Sequence, residues 1–132
     1  MKKIESYWAL FTFFSLLGFS LPAQAEYELE AFDGLAVTGN IDVILEEGDS
    51  ERAVVEAEGI PESEVTVKVS RGVLKLKLIN SIFYKEEEVT VYVTYRNLRS
   101  IKVHAGARVK ARSPVSADQL EVRATSGARA EL

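Results

Sequence analysis

A chain of 132 residues with no cysteine, one histidine and a net charge of −4 leaves few chemistries open. Without Cys, thiol catalysis, thiolate metal sites, disulfides and a lipid-modified N-terminal cysteine are excluded. The length suits one small domain, whose stability must come from strand pairing and apolar stacking or from association with another copy.

The first 25 residues read as a secretory signal peptide. Lys2 and Lys3 form a positive start, residues 7–21 are apolar and uncharged, and Pro22, Ala23, Gln24 and Ala25 supply an A-x-A cleavage site before Glu26. The apolar stretch is short of the roughly 20 residues that cross a bilayer. We expect Sec-type export, cleavage after Ala25, a periplasmic or secreted destination in a bacterium, and no membrane span afterwards. The single Trp8 leaves with the signal.

From Glu26 onward nearly every segment alternates apolar and polar side chains, the period of a strand with one solvated face. In chain order the runs are 35–37, 41–45, 53–57, 65–69, 74–78, 89–95, 101–103, 107–111 and 120–124. Ser70, Arg71 and Gly72 signal a tight turn that pairs runs 65–69 and 74–78 as a hairpin. Gly34, Gly39, Gly48, Gly59, Pro61, Asn97, Gly106, Pro114 and Gly127 punctuate the remainder. No segment sustains a helical period. Residues 26–132 therefore form a single all-β domain.

The tail repeats itself. Residues 98–111 are echoed by residues 120–132, each an alternating strand, a Gly-Ala-Arg corner and a second short strand. A period of about 20 residues marks a chain winding in coils that stack their apolar faces. The fold expected is a right-handed β-solenoid, a β-helix-like stack of short strands. The chain stops at Leu132 inside an alternating run, so we expect a domain truncated at its C-terminal end, open there to self-association.

Charge is unevenly placed. Residues 26–64 carry 13 acidic groups against Arg52 alone, whereas residues 65–132 carry 13 basic groups against six acidic ones. Neighbouring strands exchanging complementary charges account for this most simply. The sharper account is a bipolar molecule that associates head to tail or lies against a charged envelope polymer.

A search for chemistry returns little. His104 falls on the polar side of its run with Lys102 and has no nucleophile or acid proposed beside it. Ser126 lacks the frame of a nucleophile elbow and reads as a turn residue. The acidic turn holding Glu46, Glu47, Asp49 and Glu51 offers oxygen ligands for Ca²⁺, but its spacing fits no known calcium loop, and a solvated turn fits better. Glu86, Glu87 and Glu88 read as a solvated gatekeeper before the strand that follows. Lys102, Arg108, Lys110, Arg112, Arg123 and Arg129 make the tail basic, with Arg108 and Arg129 at one position of successive repeats, able to form a ladder that grips phosphate or acidic polysaccharide. The aromatic interleaving of a single-strand nucleic-acid binder is missing. We assign no catalytic, cofactor-binding or metal residue.

Taken in order, residues 32–48, then Val73 to Leu76 after Gly72, the 89–95 strand, residues 98–103 with Gly106 and Ala107, and Ser126 with Gly127 and Ala128 resemble the family known as "putative auto-transporter adhesin, head GIN domain". The resemblance spans essentially all of residues 26–132. It implies a secreted or envelope-located β-solenoid and brings no catalytic residues.

Together these readings point to an exported, non-enzymatic interaction domain of the envelope or adhesion type, without a cofactor. Its partner would be an envelope polymer, a polysaccharide or another protein rather than a nucleic acid. The alternative is a polysaccharide-binding or carbohydrate-active β-helix, for which Phe83, Tyr84, Tyr92 and Tyr95 are the available sugar-stacking rings.

Overall fold

The computed structural model describes residues 2–3, 23–78 and 88–132. The apolar stretch of the expected signal, together with Phe83, Tyr84, Glu86 and Glu87, lies outside the described residues.

The domain is all-β, as its alternation predicts. The strands are β1 (Lys2–Lys3), β2 (Ala23–Glu28), β3 (Gly34–Thr38), β4 (Asp42–Glu47), β5 (Arg52–Glu58), β6 (Val65–Ser70), β7 (Val73–Leu78), β8 (Glu88–Tyr95), β9 (Ser100–His104), β10 (Arg108–Ala111), β11 (Glu121–Ala124) and β12 (Arg129–Glu131). One 3₁₀ turn, Glu62–Glu64, precedes β6. The strands form two sheets, one in the order β1-β2-β5-β8-β4-β10-β12 and the other β11-β9-β3-β7-β6. The expected scissile bond after Ala25 falls within β2, whose residues Ala23 to Glu28 pair antiparallel with β5.

Period-two alternation sends one set of side chains from each sheet into a shared core. Leu35, Leu74 and Ile101 from one sheet and Val43, Val91 and Val109 from the other are at most 1 % exposed, and no described polar or charged residue is buried. Each such side chain removed from water contributes about 1.5–3 kcal/mol.

Turns set the connections. Arg71 and Gly72 both take positive φ, 52° and 76°, as a two-residue type I′ turn requires. Val65 to Ser70 therefore lies antiparallel to Val73 to Leu78, as the turn signal predicts. Positive φ recurs at Ala105 and Gly106, and again at Ser126 and Gly127. These two corners carry the chain from one sheet to the other. The repeat stacks in register: Arg108 lies beside Arg129, and Lys102 beside Arg123.

The strand order is not that of a chain winding steadily in one direction. The first coil, β3 and β4, sits between β7 and β8 on one side and β9 and β10 on the other, with parallel pairing throughout. The entry to β3 is held from both edges. Its Asp33 and Gly34 amides donate to the Gly72 carbonyl, while the Asp33 carbonyl accepts from the Arg99 and Ser100 amides. The β6–β7 hairpin reverses the chain, β5 adds antiparallel to β8, and β2 adds antiparallel to β5. At the opposite end of the stack Val122, in register with Ile101, is 42 % exposed because no described strand covers it.

Candidate interaction surface

The polar half of each strand lies in straight rows on the two outer faces, and the two faces treat charge differently. On the β4-bearing sheet, acids and bases meet. Arg108 stands between Asp42 and Arg129 and donates through Nε to Asp42 Oδ1 at 2.6 Å and through Nη2 to Oδ2 at 3.1 Å. Arg52 pairs with Glu26 at 3.1 Å, Arg112 with Glu46 at 3.6 Å and Lys110 with Glu131 at 3.8 Å. The Arg112 guanidinium also lies 5.8 Å from the Tyr92 ring centre. The ladder of Arg108 and Arg129 exists, but Asp42 occupies the guanidinium expected to be free for a ligand. Exposed pairs of this kind contribute little stability, about 0–1 kcal/mol each.

The β3-bearing sheet is different. Its outward positions align Lys68 with Lys75, Lys75 with Ala36, Ala36 with Lys102 and Lys102 with Arg123. Four of five positions in this line are basic. The neighbouring line holds Thr66, Lys77, Thr38 and His104 in register. Thr125 ends it, bonded through Oγ1 to His104 Nδ1 at 2.6 Å. Among the described residues, Lys68, Lys75, Lys77 and Lys102 make no ion pair, and Arg123 pairs with Glu121 at 3.4 Å. Complementary exchange between strands thus describes one face only. Like charges directly opposite one another are destabilising, so this face holds unneutralised repulsion.

His104 is exposed, and Ser126 is a corner residue with φ of 55° whose carbonyl accepts the Gly106 amide. The acidic turn is solvated. Glu46 pairs with Arg112, and the Gly48 amide donates to the Tyr95 carbonyl. Among the described residues no three His, Cys, Asp or Glu side chains gather to hold a metal ion. Tyr95, offered by the sequence as a sugar-stacking ring, is in the core at 2 % exposure, because it falls on the inward half of β8. Burial, then the nearby Glu47 carboxylate, raises its phenol above the ordinary 10.0. Tyr27 is raised likewise, by burial and then by Glu62.

At the edge where β3 and β9 begin lies an open cavity of about 830 Å³, lined in part by Phe32, Asp33, Leu98, Arg99, Asp118 and Gln119. Arg99 and Asp33 approach to 3.7 Å, both well exposed. Glu51 and Ser116 also belong to the lining.

Residues 31–132 match the family described as "Putative auto-transporter adhesin, head GIN domain". The chain belongs to this family. This head GIN chain is also similar to solved structures. A protein described as a "putative adhesin" from Parabacteroides distasonis superposes with a TM-score of 0.72 at 18% identity, over 87% of this chain and 49% of that one. Another "putative adhesin", from Parabacteroides merdae, gives 0.67 at 17% identity, over 80% and 44%. A "putative lipid binding protein" from Parabacteroides distasonis gives 0.65 at 16% identity, over 80% and 46%. At these identities the likeness establishes the fold. The head GIN chain spans about half the length of these structures. Among curated proteins, none matches it.

The lysines of the hairpin are the residues that sequence reasoning missed. Their signal was present: a two-residue turn at Arg71 and Gly72 sets Lys68 opposite Lys75 by arithmetic alone. Alignment with Lys102 requires the long-range order of strands.

Proposed function

We propose that the protein is an exported, non-enzymatic domain that engages a component of the bacterial cell envelope through the outward faces of its stacked strands. One observation carries this reading. The interior is wholly apolar among the described residues, while the polar side chains form ordered rows across sheets of seven and five strands, a geometry suited to contact with an extended partner. Family membership supports it, as do structural neighbours described as adhesins and one described as lipid-binding. Among the described residues no helix is long and apolar enough to cross a membrane. We further read β3–β4, β9–β10 and β11–β12 as coils of a right-handed β-solenoid, from their parallel in-register pairing and the usual hand of such crossovers.

The carbohydrate-active alternative draws less support, since Tyr95 is buried and the ring that lines the open cavity, Phe32, is only 4 % exposed. The test is to express the full chain in a bacterium, recover it from the periplasm and sediment it with isolated cell envelopes. Saturable co-sedimentation is expected. Retention in the cytosol, or no association with envelopes, would overturn the proposal.

A further inference from the structure

We infer that the outer face of the β6–β7–β3–β9–β11 sheet binds a linear acidic polysaccharide, with Lys68, Lys75, Lys102 and Arg123 pairing with its anionic groups. This rests on the envelope-interaction reading and specifies the partner's chemistry.

The five aligned positions run across five strands, perpendicular to them, at the roughly 4.8 Å spacing of neighbouring strands. The basic line is therefore straight and about 19 Å long from end to end. Ala36, half-buried at its middle, leaves a shallow gap rather than a projecting side chain. Beside this line runs the second one, with hydroxyls at Thr66, Thr38 and Thr125, a further cation at Lys77 and the imidazole of His104. A chain molecule with anionic groups along one edge and hydroxyls along the other meets both lines at once.

Other occupants fit less well. An anionic bilayer needs no straight line of charge and is held in addition by apolar or aromatic anchors, whereas the apolar residues outward on these strands are Ala36 and Val73. Neutral sugars are held by stacking on large rings, and no described outward strand position of this sheet is Phe, Tyr or Trp. In a second copy, the acids Glu26, Asp42, Glu46 and Glu131 are already paired with Arg52, Arg108, Arg112 and Lys110, and its other strand acids align at most as a pair, Glu58 beside Glu88, which does not match a line of four cations. What remains is a polyanion that supplies the missing counter-charges.

The experiment uses protein recovered from the periplasm after expression of the full chain. Binding to polygalacturonate and dextran sulfate is measured by calorimetry, with neutral dextran and phosphatidylglycerol vesicles as comparison arms, at low and high salt. Wild type is expected to bind the acidic polymers, not dextran, and to weaken steeply with salt. The triple variant K68Q/K75Q/K102Q should lose about tenfold or more in affinity, while R108Q/K110Q on the other sheet should bind as wild type does. Circular dichroism checks that both variants keep the β fold, and should the triple variant fail it, the salt and vesicle arms on wild type decide. Undiminished binding by a folded triple variant, salt-independent binding, or binding to vesicles but to neither acidic polymer would overturn the inference, as would a salt-sensitive dimer without polymer binding. Should wild type ignore both polymers yet still sediment with envelopes, this inference fails and the broader reading stands. Loss of envelope association as well would remove both.

Discussion

Lys68 and Lys75 stand directly opposite one another across the β6–β7 hairpin, and neither has an ion-pair partner among the described residues. Facing like charges cost roughly 0.2–1 kcal/mol in a cross-strand pair. Replacing one by its opposite, Lys68→Glu, is expected to raise the melting temperature at low salt and to lose that advantage at high salt. Thermal melts at two ionic strengths check this. A variant that is more stable yet binds acidic polymer less well would mark Lys68 as kept for contact rather than for folding.

Gly39 and Gly127 both occupy corners with positive φ, but their surroundings differ. A Cβ on Gly39 would lie 2.6 Å from the Leu78 carbonyl oxygen, whereas one on Gly127 meets nothing within 4 Å. Gly127→Ala should therefore cost only the left-handed conformation, about 1–2 kcal/mol. Gly39→Ala must also displace backbone, and its loss should be clearly larger. Denaturant midpoints of the two variants give the comparison.

Ile101 and Val122 share one inward row, yet the first is fully buried and the second 42 % exposed. Ile101→Ala is expected to cost about 2–5 kcal/mol through lost burial and the cavity left behind. Val122→Ala should cost well under half of that. Similar losses at both sites would mean that Val122 is covered in solution.

Alkaline pH should weaken the fold through its tyrosines. Burial first, and Glu47 second, raise the Tyr95 phenol above 10.0, and Tyr27 follows the same direction. A group whose folded pKa exceeds its unfolded value contributes stability that is complete below the unfolded pKa and lost as pH rises through the folded one. Unfolding free energy should accordingly be flat below about pH 9 and fall beyond about pH 10. Tyr95→Phe should make that fall shallower, as urea titrations across this range would show.

Export with cleavage after Ala25 leaves a protein that begins at Glu26 and lacks tryptophan, since Trp8 is the one Trp in the sequence. Intact mass and the absence of indole emission from periplasmic protein check this together. Cleavage there would also remove Gln24, whose side-chain amide donates to Glu56.

How far the sequence reaches depends on distance along the chain. Alternation gives every run a strand, and the turn at Arg71 and Gly72 fixes its hairpin register, because both are local. The repeat correctly aligns Arg108 with Arg129, since equal spacing carries stacked coils into register. What local pattern does not contain is the placement of β3 between β7 and β9, which rests on parallel pairing with residues far away in sequence. Without that order, Asp42 could not be seen to occupy Arg108, and Lys102 could not be set in line with Lys75. Tyr95, by contrast, is legible locally, for it shares the parity of Val89, Val91 and Val93, the apolar set that faces the core.

The central place of the first coil also governs how the chain assembles. Strands β3 and β4 leave the synthetic machinery early, yet the partners for their two edges lie near Val73 and Thr90 on one side and Ser100 and Arg108 on the other. Neither edge can be satisfied until most of the polypeptide is present. Such non-local pairing places folding in the millisecond-to-second regime, and it leaves an early pair of strands open at one edge until residues 100–111 have been made.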